Sequence, residues 1–161
     1  MKILLAVDGS PCSKLAIDSM VTRTWPSDTI FKVITVLEPF HPELAGWHSG
    51  YVPLAIEAQQ ERLDEAKALV DETAARLLAC LNANDAGGQF TGISEPVASE
   101  VLEGNVKERI VECAREWHSD MIVMGSHGRQ GIEKLFLGSV SQAVLTEAPC
   151  SVEIVKRNTE K

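Results

Sequence analysis

The sequence predicts an α/β fold in which a parallel β-sheet carries helices on both faces. Short apolar runs of strand length alternate with segments whose apolar residues recur at helical spacing, and this alternation is typical of parallel sheets. The chain has 161 residues, close to the usual domain size of about 150 residues, which favours one domain. Apolar residues make up 45% and charged residues 24%, a globular balance that disfavours disorder, collagen and coiled coils.

The first elements are a strand, a helix and a second strand. Ile3–Val7 is a continuous apolar run, as expected for a strand buried on both faces. Gly9-Ser10-Pro11 ends this strand, and residues 25–28 end the helix that follows. Phe31–Leu37, rich in Val, Ile and Thr, predicts the second strand. The predicted buried face of the helix consists of Cys12, Leu15, Ala16, Ser19 and Met20.

A long irregular loop and a long helix are predicted next. Glu38–Pro53 is rich in proline, glycine, histidine and aromatic residues, and loops of this length are often functional, although its role here stays open. A helix is expected from Leu54 to about Leu81, with a charged face that we interpret as solvated. Its predicted buried stripe is Leu63, Ala66, Val70, Ala74, Leu77 and Leu81.

The second half of the chain continues the alternation with three strands and two helices. Val97–Leu102 alternates in polarity, which predicts a strand with one wet face or a wet edge. Met121–Met124 is fully apolar and predicts a buried strand, and Ser151–Val155 predicts the closing strand after a helix that ends near Glu147. The helix between the first two of these strands has an apolar stripe of Val106, Ile110, Cys113, Ala114 and Trp117.

Charge and cysteine content exclude several classes of function. The 15 Lys and Arg against 23 Asp and Glu give a net charge of −8, which disfavours nucleic acid and anionic membranes as partners. No apolar run has transmembrane length, and the N-terminal run is too short for a signal peptide, so we expect a cytoplasmic protein. The four cysteines are scattered without a CxxC pair, which disfavours a disulfide framework or a zinc site.

Two strands end in sequences that are unusual for simple turns. The first strand ends in Val7-Asp8-Gly9-Ser10, and the fourth leads into Gly125-Ser126-His127-Gly128-Arg129. Ligands of open α/β sheets bind beyond the carboxyl ends of the strands, at the point where the strand order reverses. If the first and fourth strands are neighbours, both loops open into one crevice.

The second of these loops belongs to a longer spacing, Gly125-x2-Gly128-x9-Gly138-Ser139. Glycines let the main chain approach a bound group closely, and successive amides in such a loop can bind an anion. A helix that begins near Ser139 directs its unpaired N–H groups and its dipole at the same place. The Ser139 hydroxyl either donates to a phosphate oxygen or caps the helix. Neither a Walker A loop nor the G-x-G-x-x-G fingerprint is present.

In these motifs the chain resembles the universal stress protein family, and specifically its ATP-binding branch, which carries G-x2-G-x9-G(S/T). The resemblance covers nearly the whole chain and includes the opening Ile3–Ser10 and the helix start Gly138-Ser139-Val140-Ser141. It implies a five-stranded, Rossmann-like sheet of strand order 3-2-1-4-5, similar to that of the adenine nucleotide alpha hydrolases. The domain would span residues 1–157, followed by a short tail at 158–161.

The same resemblance implies ATP or another adenine nucleotide as ligand, together with Mg²⁺. Asp8 is then expected near the ribose and a metal-bridged phosphate, and Arg129 adds a positive charge beside the motif. Ser126 lies inside the motif, and its side chain carries less of the prediction. The residues expected to border the adenine are Ala6, Val7 and Val36. Those expected to hold the ribose and phosphates are Gly125, Gly128, Gly138, Ser139 and Val140.

Three functions stay open on the sequence. The first is a homodimeric, ATP-binding regulator or sensor in the stress response, whose downstream partner is unknown. The second is a slow ATPase or nucleotidyl-transfer enzyme, for which Asp8 is the one nearby carboxylate, and the third is an interaction protein that uses no nucleotide. Asp8 has a simpler alternative role in supporting the start of the helix that follows it. Self-association is expected along the closing strand, through Val152, Ile154 and Val155.

Overall fold

Strands and helices alternate along the chain as the sequence predicts. Within residues 1–39, 52–84, 96–128 and 137–157, which the computed structural model describes, five strands and four helices are present. The strands are β1 (Lys2–Ala6), β2 (Ile30–Leu37), β3 (Val97–Glu103), β4 (Met121–Gly125) and β5 (Ser151–Val155). The helices are α1 (Pro11–Val21), α2 (Val52–Asn84), α3 (Val106–Glu116) and α4 (Ser139–Glu147).

The strands form one parallel sheet in the order β3-β2-β1-β4-β5, which confirms the order implied by the family resemblance. Strand β1 is central, and its last residue, Ala6, pairs with Ile34 of β2 on one side and with Met124 of β4 on the other. The chain therefore runs outward from β1 to β3 and then crosses to β4. The strand order reverses at the carboxyl ends of β1 and β4, where a ligand crevice is expected.

The sheet has a hydrophobic core on each face. Apolar side chains in and just after β1 pack into both of these cores, because successive side chains of a strand point to opposite faces. Ile3, Leu5 and Val7 pack with residues of α1 and α2, whereas Leu4 packs with residues of α3 and α4. Ile3, Leu4 and Leu5 are fully buried. This arrangement confirms a sheet covered by helices on both faces, and it explains why β1 is continuously apolar in sequence.

The buried face of α1 differs from the predicted one. Ala16 and Met20 are buried as expected, but Ser13 and Ile17 complete the buried stripe. The predicted Cys12, Leu15 and Ser19 are only partly buried. Both stripes have helical spacing, so periodicity alone could not choose between them. The side chain of Ser13 turns inward because its hydroxyl accepts a hydrogen bond from the turn after β1, described below.

Helix α2 begins at Val52 rather than Leu54 and continues to Asn84, beyond the predicted end. Most of the predicted stripe is buried, but Leu63 and Ala74 are only partly buried, and Thr73 joins the stripe. Most of the predicted loop at 38–53 lies outside the described residues. None of the described helices has the length and apolar character that a bilayer crossing requires.

Strand β3 forms one edge of the sheet and has the wet surface predicted for it. Ala98, Ser99 and Glu100 are exposed, whereas Leu102 is buried. Lys32 of β2 forms an ion pair with Glu100, with 3.0 Å between Nζ and Oε2. The alternating sequence of this strand therefore reflects its place at the edge of the sheet.

A buried hydroxyl in the turn before β2 offers a test of the packing. Thr29 is fully buried, and its Oγ1 makes no hydrogen bond within the described part of the chain. We expect Thr29→Val to raise the free energy of unfolding by about 1 kcal/mol, because an unpaired buried polar atom is removed without a change of shape. Urea denaturation measures this change.

Thr73→Val is the matched control, because Thr73 is likewise buried but its hydroxyl donates to the Leu69 carbonyl at 2.7 Å. We expect no gain in stability from this variant. Equal changes in the two variants would contradict the assignment of an unpaired hydroxyl at Thr29.

Candidate functional site

A tight turn joins β1 to α1 and orients Asp8. Asp8 Oδ1 accepts a hydrogen bond from the Ser10 amide at 3.0 Å, and the Asp8 amide donates to Ser13 Oγ at 3.2 Å. Gly9 has a φ of +77°, in the left-handed region that glycine adopts without strain. Ser10 caps α1, because its Oγ accepts from the Ser13 amide at 3.2 Å. Asp8 therefore supports the start of α1, which is the simpler role considered for it above, and Ser10 is the N-cap residue.

The loops after β1 and β4 lie against each other. Ser10 Oγ donates a hydrogen bond to the His127 carbonyl at 3.1 Å. A Cβ atom on Gly128 would lie 2.9 Å from Asp8 Oδ2, so the carboxylate and this glycine are direct neighbours. The two sequence motifs are thus brought together at the switch point of the sheet, where a common crevice was expected.

Gly125 is a packing residue in this arrangement. A Cβ atom at Gly125 would lie 2.6 Å from the carbonyl carbon of Cys12 and 2.7 Å from the amide nitrogen of Ser13. The first turn of α1 therefore packs directly on the end of β4, where no side chain can be accommodated. From the sequence, this glycine is expected to let the main chain approach a ligand, whereas the described contact is with the neighbouring helix.

The second half of the motif joins the first through Ser126. The Gly138 amide donates to the Ser126 carbonyl at 2.8 Å. The buried Ser141 Oγ lies 2.8 Å from the same carbonyl and 2.9 Å from the Gly138 carbonyl, so its one hydrogen is donated to one of them. The start of α4 is thereby held against the loop after β4.

Helix α4 begins with main-chain donors that no described side chain caps. Its N-cap residue is Gly138, which has no side chain, whereas Ser10 and Asn105 cap α1 and α3. The first amides of a helix have no acceptor within the helix. Ser139 is exposed and Val140 is partly buried. This end of α4 therefore offers N–H donors and the positive end of the helix dipole to an anion.

Two of the three predicted neighbours of adenine lie on the same face of the sheet. Ala6, Val36 and Val140 are partly buried and pack at the margin of the core formed with α3 and α4. Val7 is 4% exposed and belongs to the opposite core, with α1 and α2. A ligand on the face of Ala6 and Val36 could meet Val7 only through its main chain, because the strand alternates its side chains.

A family model described as the universal stress protein family matches residues 1–156. The chain belongs to this family. A curated relative, the universal stress protein in the QAH/OAS sulfhydrylase 3′ region of Thermus aquaticus, is 32% identical over 154 residues. The match covers 96% of this chain and 97% of the relative.

Solved structures of similar fold support the architecture of this universal stress protein. The hypothetical protein MJ0577 has a TM-score of 0.76 at 22% identity, covering 99% of this chain and 97% of that one. A universal stress protein in complex with cAMP has a TM-score of 0.60 at 22% identity, with coverages of 97% and 96%. A family protein from Arabidopsis thaliana with AMP bound has a TM-score of 0.56 at 16% identity, with coverages of 99% and 93%. The TM-scores show a shared fold.

Ser126 contributes differently from the rest of the motif in this universal stress protein. Ser126 is buried, and its Oγ lies 3.1 Å from His127 Nδ1 and 3.6 Å from Cys12 Sγ, so its hydroxyl is engaged inside the protein. Arg129 lies outside the described residues. Within the described ranges, no group of three or more His, Cys, Asp or Glu side chains could hold a metal ion.

Three serines that organise the site were given no role from the sequence. Ser10 was signalled by its position before Pro11, because a serine N-cap followed by proline is a common helix start. Ser13 and Ser141 are buried hydroxyls whose partners lie on other elements or across a loop. Nothing in the local sequence distinguishes them from other helical serines.

The two glycines of the loop after β4 should respond differently to a methyl group. We expect Gly125→Ala to lower the free energy of unfolding by about 1–3 kcal/mol, because the new Cβ meets main-chain atoms that cannot move independently. Gly128→Ala should change it by less than about 0.5 kcal/mol, because Gly128 is exposed and its neighbour is a side-chain oxygen. Chemical denaturation of both variants checks the difference, and equal losses would contradict the packing role of Gly125.

Proposed function

We propose that this universal stress protein binds an adenine nucleotide, ATP together with Mg²⁺, and acts as a nucleotide-dependent regulator in the stress response. The observation that carries the proposal is the convergence of the two motifs, with Gly128 beside Asp8 and Gly138 bonded to Ser126. We call the combined main chain of residues 125–128 and 138–140 the phosphate cradle. Adenine nucleotides bound to two proteins of this fold, cAMP and AMP, support the proposal.

The amides of Ser126 and Gly138 bond within the protein, so the phosphate cradle suits an anion chiefly through the first amides of α4, at Ser139 and Val140, which have no acceptor within the helix. A helix N-terminus stabilises an anion by about 0.3–1 kcal/mol, and by up to about 2 kcal/mol in partly buried geometry. Hydrogen bonds to charged groups add about 1.5–3 kcal/mol each. The net charge of −8 opposes binding only weakly, since salt screens exposed charges over about 8 Å. Several amides acting together therefore outweigh the distant acidic surface.

Asp8 is the charged side chain that the proposal has to accommodate. Its Oδ2 faces Gly128, so a phosphate in the cradle would meet a carboxylate of the same sign. A divalent cation between the two removes this repulsion, and Mg²⁺ is commonly held by one or two carboxylates together with phosphate oxygens. We therefore propose that Asp8 would help to hold a Mg²⁺ ion, which would offset the repulsion between the carboxylate and a phosphate.

The proposed base site is apolar and lies on the α3 and α4 face of the sheet. Ala6, Val36 and Val140 are partly buried there, which leaves apolar surface for the face of a purine. The proposed sensor is a homodimer, because β5 is an edge strand whose apolar Val152, Ile154 and Val155 are only partly buried. Pairing with the same strand of a second copy would cover this edge.

Gly128→Val tests the nucleotide site directly. We expect the affinity for ATP with Mg²⁺ to fall by at least about tenfold, which is about 1.4 kcal/mol, because the new side chain fills the space beside Asp8. Calorimetric titration measures the affinity, and mass spectrometry of small molecules released from the denatured wild type identifies the nucleotide carried.

Ala98→Val is the control for this variant, because Ala98 is exposed on the far edge of the sheet and gains the same kind of side chain. Its affinity and unfolding midpoint should match those of the wild type. If a folded Gly128→Val variant binds ATP with unchanged affinity, the glycine motif is not part of the binding site.

Asp8→Asn tests the metal bridge. Asparagine keeps an oxygen for the Ser10 amide but removes the charge that repels phosphate. In the wild type we expect ATP affinity to fall sharply when Mg²⁺ is chelated with EDTA. In the variant, the ratio of affinities with and without Mg²⁺ should be several-fold smaller, since a metal is no longer needed to separate like charges. An identical Mg²⁺ ratio in both proteins would contradict the role given to Asp8.

A further inference from the structure

Ser126 is bonded to two structural elements outside its own loop. Its amide donates to the carbonyl of Val155, the last residue of β5, at 2.9 Å. Its carbonyl accepts from the Gly138 amide and lies within hydrogen-bond distance of Ser141 Oγ at the start of α4. Ser126 is also buried, so this main-chain junction is shielded from water. One residue thus connects the phosphate cradle to the edge strand β5.

Among the described residues, strand β5 pairs with a neighbouring strand along one side only. It is the last strand of the sheet and pairs with β4, and the residues from Val152 to Val155 are only partly buried. The guanidinium of Arg23, just after α1, binds both carboxylate oxygens of Glu153. At the carboxyl end of β5, the bond from the Ser126 amide holds the final carbonyl of the strand. Local opening of the carboxyl end of β5 therefore requires that the bond between Ser126 and Val155 breaks.

We propose that ligand occupancy of the phosphate cradle tightens the docking of β5 on the sheet through Ser126, with Ser141 as the positioning residue that transmits the effect. The inference rests on the proposed nucleotide binding. A ligand that accepts hydrogen bonds from both segments of the cradle holds α4 against the loop after β4. Ser126 belongs to the first of these segments and accepts a hydrogen bond from the second, so its local opening becomes rarer and its bond to Val155 is broken less often.

The coupling has a reciprocal consequence. If the ligand stabilises docked β5, it raises the affinity for a partner that pairs with docked β5, such as a second copy of this chain. That partner then raises the affinity for the ligand by the same factor. The edge strand and the cradle would then form two linked sites of a sensor. This linkage explains how a site built from main-chain donors could report its occupancy at the edge of the sheet.

Hydrogen exchange followed by mass spectrometry tests the coupling in the full chain. Exchange is compared without nucleotide and with saturating ATP and Mg²⁺, in peptides covering Ser151–Val155 and Met121–Gly128. The peptide covering Val97–Glu103, from the opposite edge, is the internal reference, because global stabilisation by a ligand slows both edges. We expect exchange in β5 to slow by about fivefold or more beyond the slowing in β3.

Ser141→Ala removes the hydroxyl that lies between the two segments of the cradle. We expect it to abolish most of the extra slowing in β5 while nucleotide binding persists at reduced affinity. Thr146→Ala is the matched control, because Thr146 lies on the same helix and donates to the Gln142 carbonyl at 2.9 Å, away from Ser126. Val144→Ala, at a fully buried position of α4, controls for general loosening of the helix.

The outcomes separate this inference from the proposed function. If calorimetry detects no nucleotide binding to the wild type, the proposed function fails and the coupling fails with it. If the wild type binds ATP and both edges slow equally, the coupling alone is overturned. The coupling is likewise overturned if Val144→Ala removes the extra slowing as completely as Ser141→Ala does. Because the wild-type comparison is sufficient, a Ser141→Ala variant that does not fold still leaves the coupling open to refutation.

Discussion

The close approach of α1 to the end of β4 is the contact on which the rest of the site depends. At Gly125 the main chain of the helix occupies the space that any side chain would need. This contact places the turn of Asp8 beside Gly128 and lets Ser10 bond to the His127 carbonyl. Two loops that are distant in sequence thereby lie against each other. The apolar cores on both faces of β1 supply the stability that keeps this contact closed.

The candidate site separates main-chain donors from the side chains that position them. The first amides of α4 have no acceptor within the helix, and the buried Ser10 and Ser141 hold the loop after β4 against α1 and α4. Such a site requires few special side chains, because a helix N-terminus and glycine-rich loops provide the positive potential themselves. Asp8 is the exception, since its carboxylate makes the proposed binding depend on a cation. The chemistry that we propose for this arrangement is therefore the capture of a phosphate group.

Three packing contacts lie beyond what the sequence pattern alone indicates. Gly125, which is expected from the sequence to hold the ribose or phosphates, also contacts the backbone of α1, and Val7 packs in the core opposite Ala6 and Val36. The buried stripe of α1 includes Ser13 and not Cys12, because the Ser13 hydroxyl is bonded to the preceding turn. In each case a contact between elements, absent from local periodicity, decided what faces inward. For the same reason, Ser141 was named from the sequence only as part of the helix start and received no role of its own.

The sequence by itself determined the alternation of strands and helices, the continuous burial of β1 and β4, and the wet edge at β3. These features follow from the period of apolar residues, which local geometry dictates. The motif glycines and the family resemblance also identified the edge of the sheet where a ligand was to be expected. Only the tertiary structure decided which glycine serves packing, which serine caps α1, and that Ser126 joins α4 to β5. These are relations between segments far apart in the chain, and hydrogen-bond partners of that kind leave no periodic signal in the sequence.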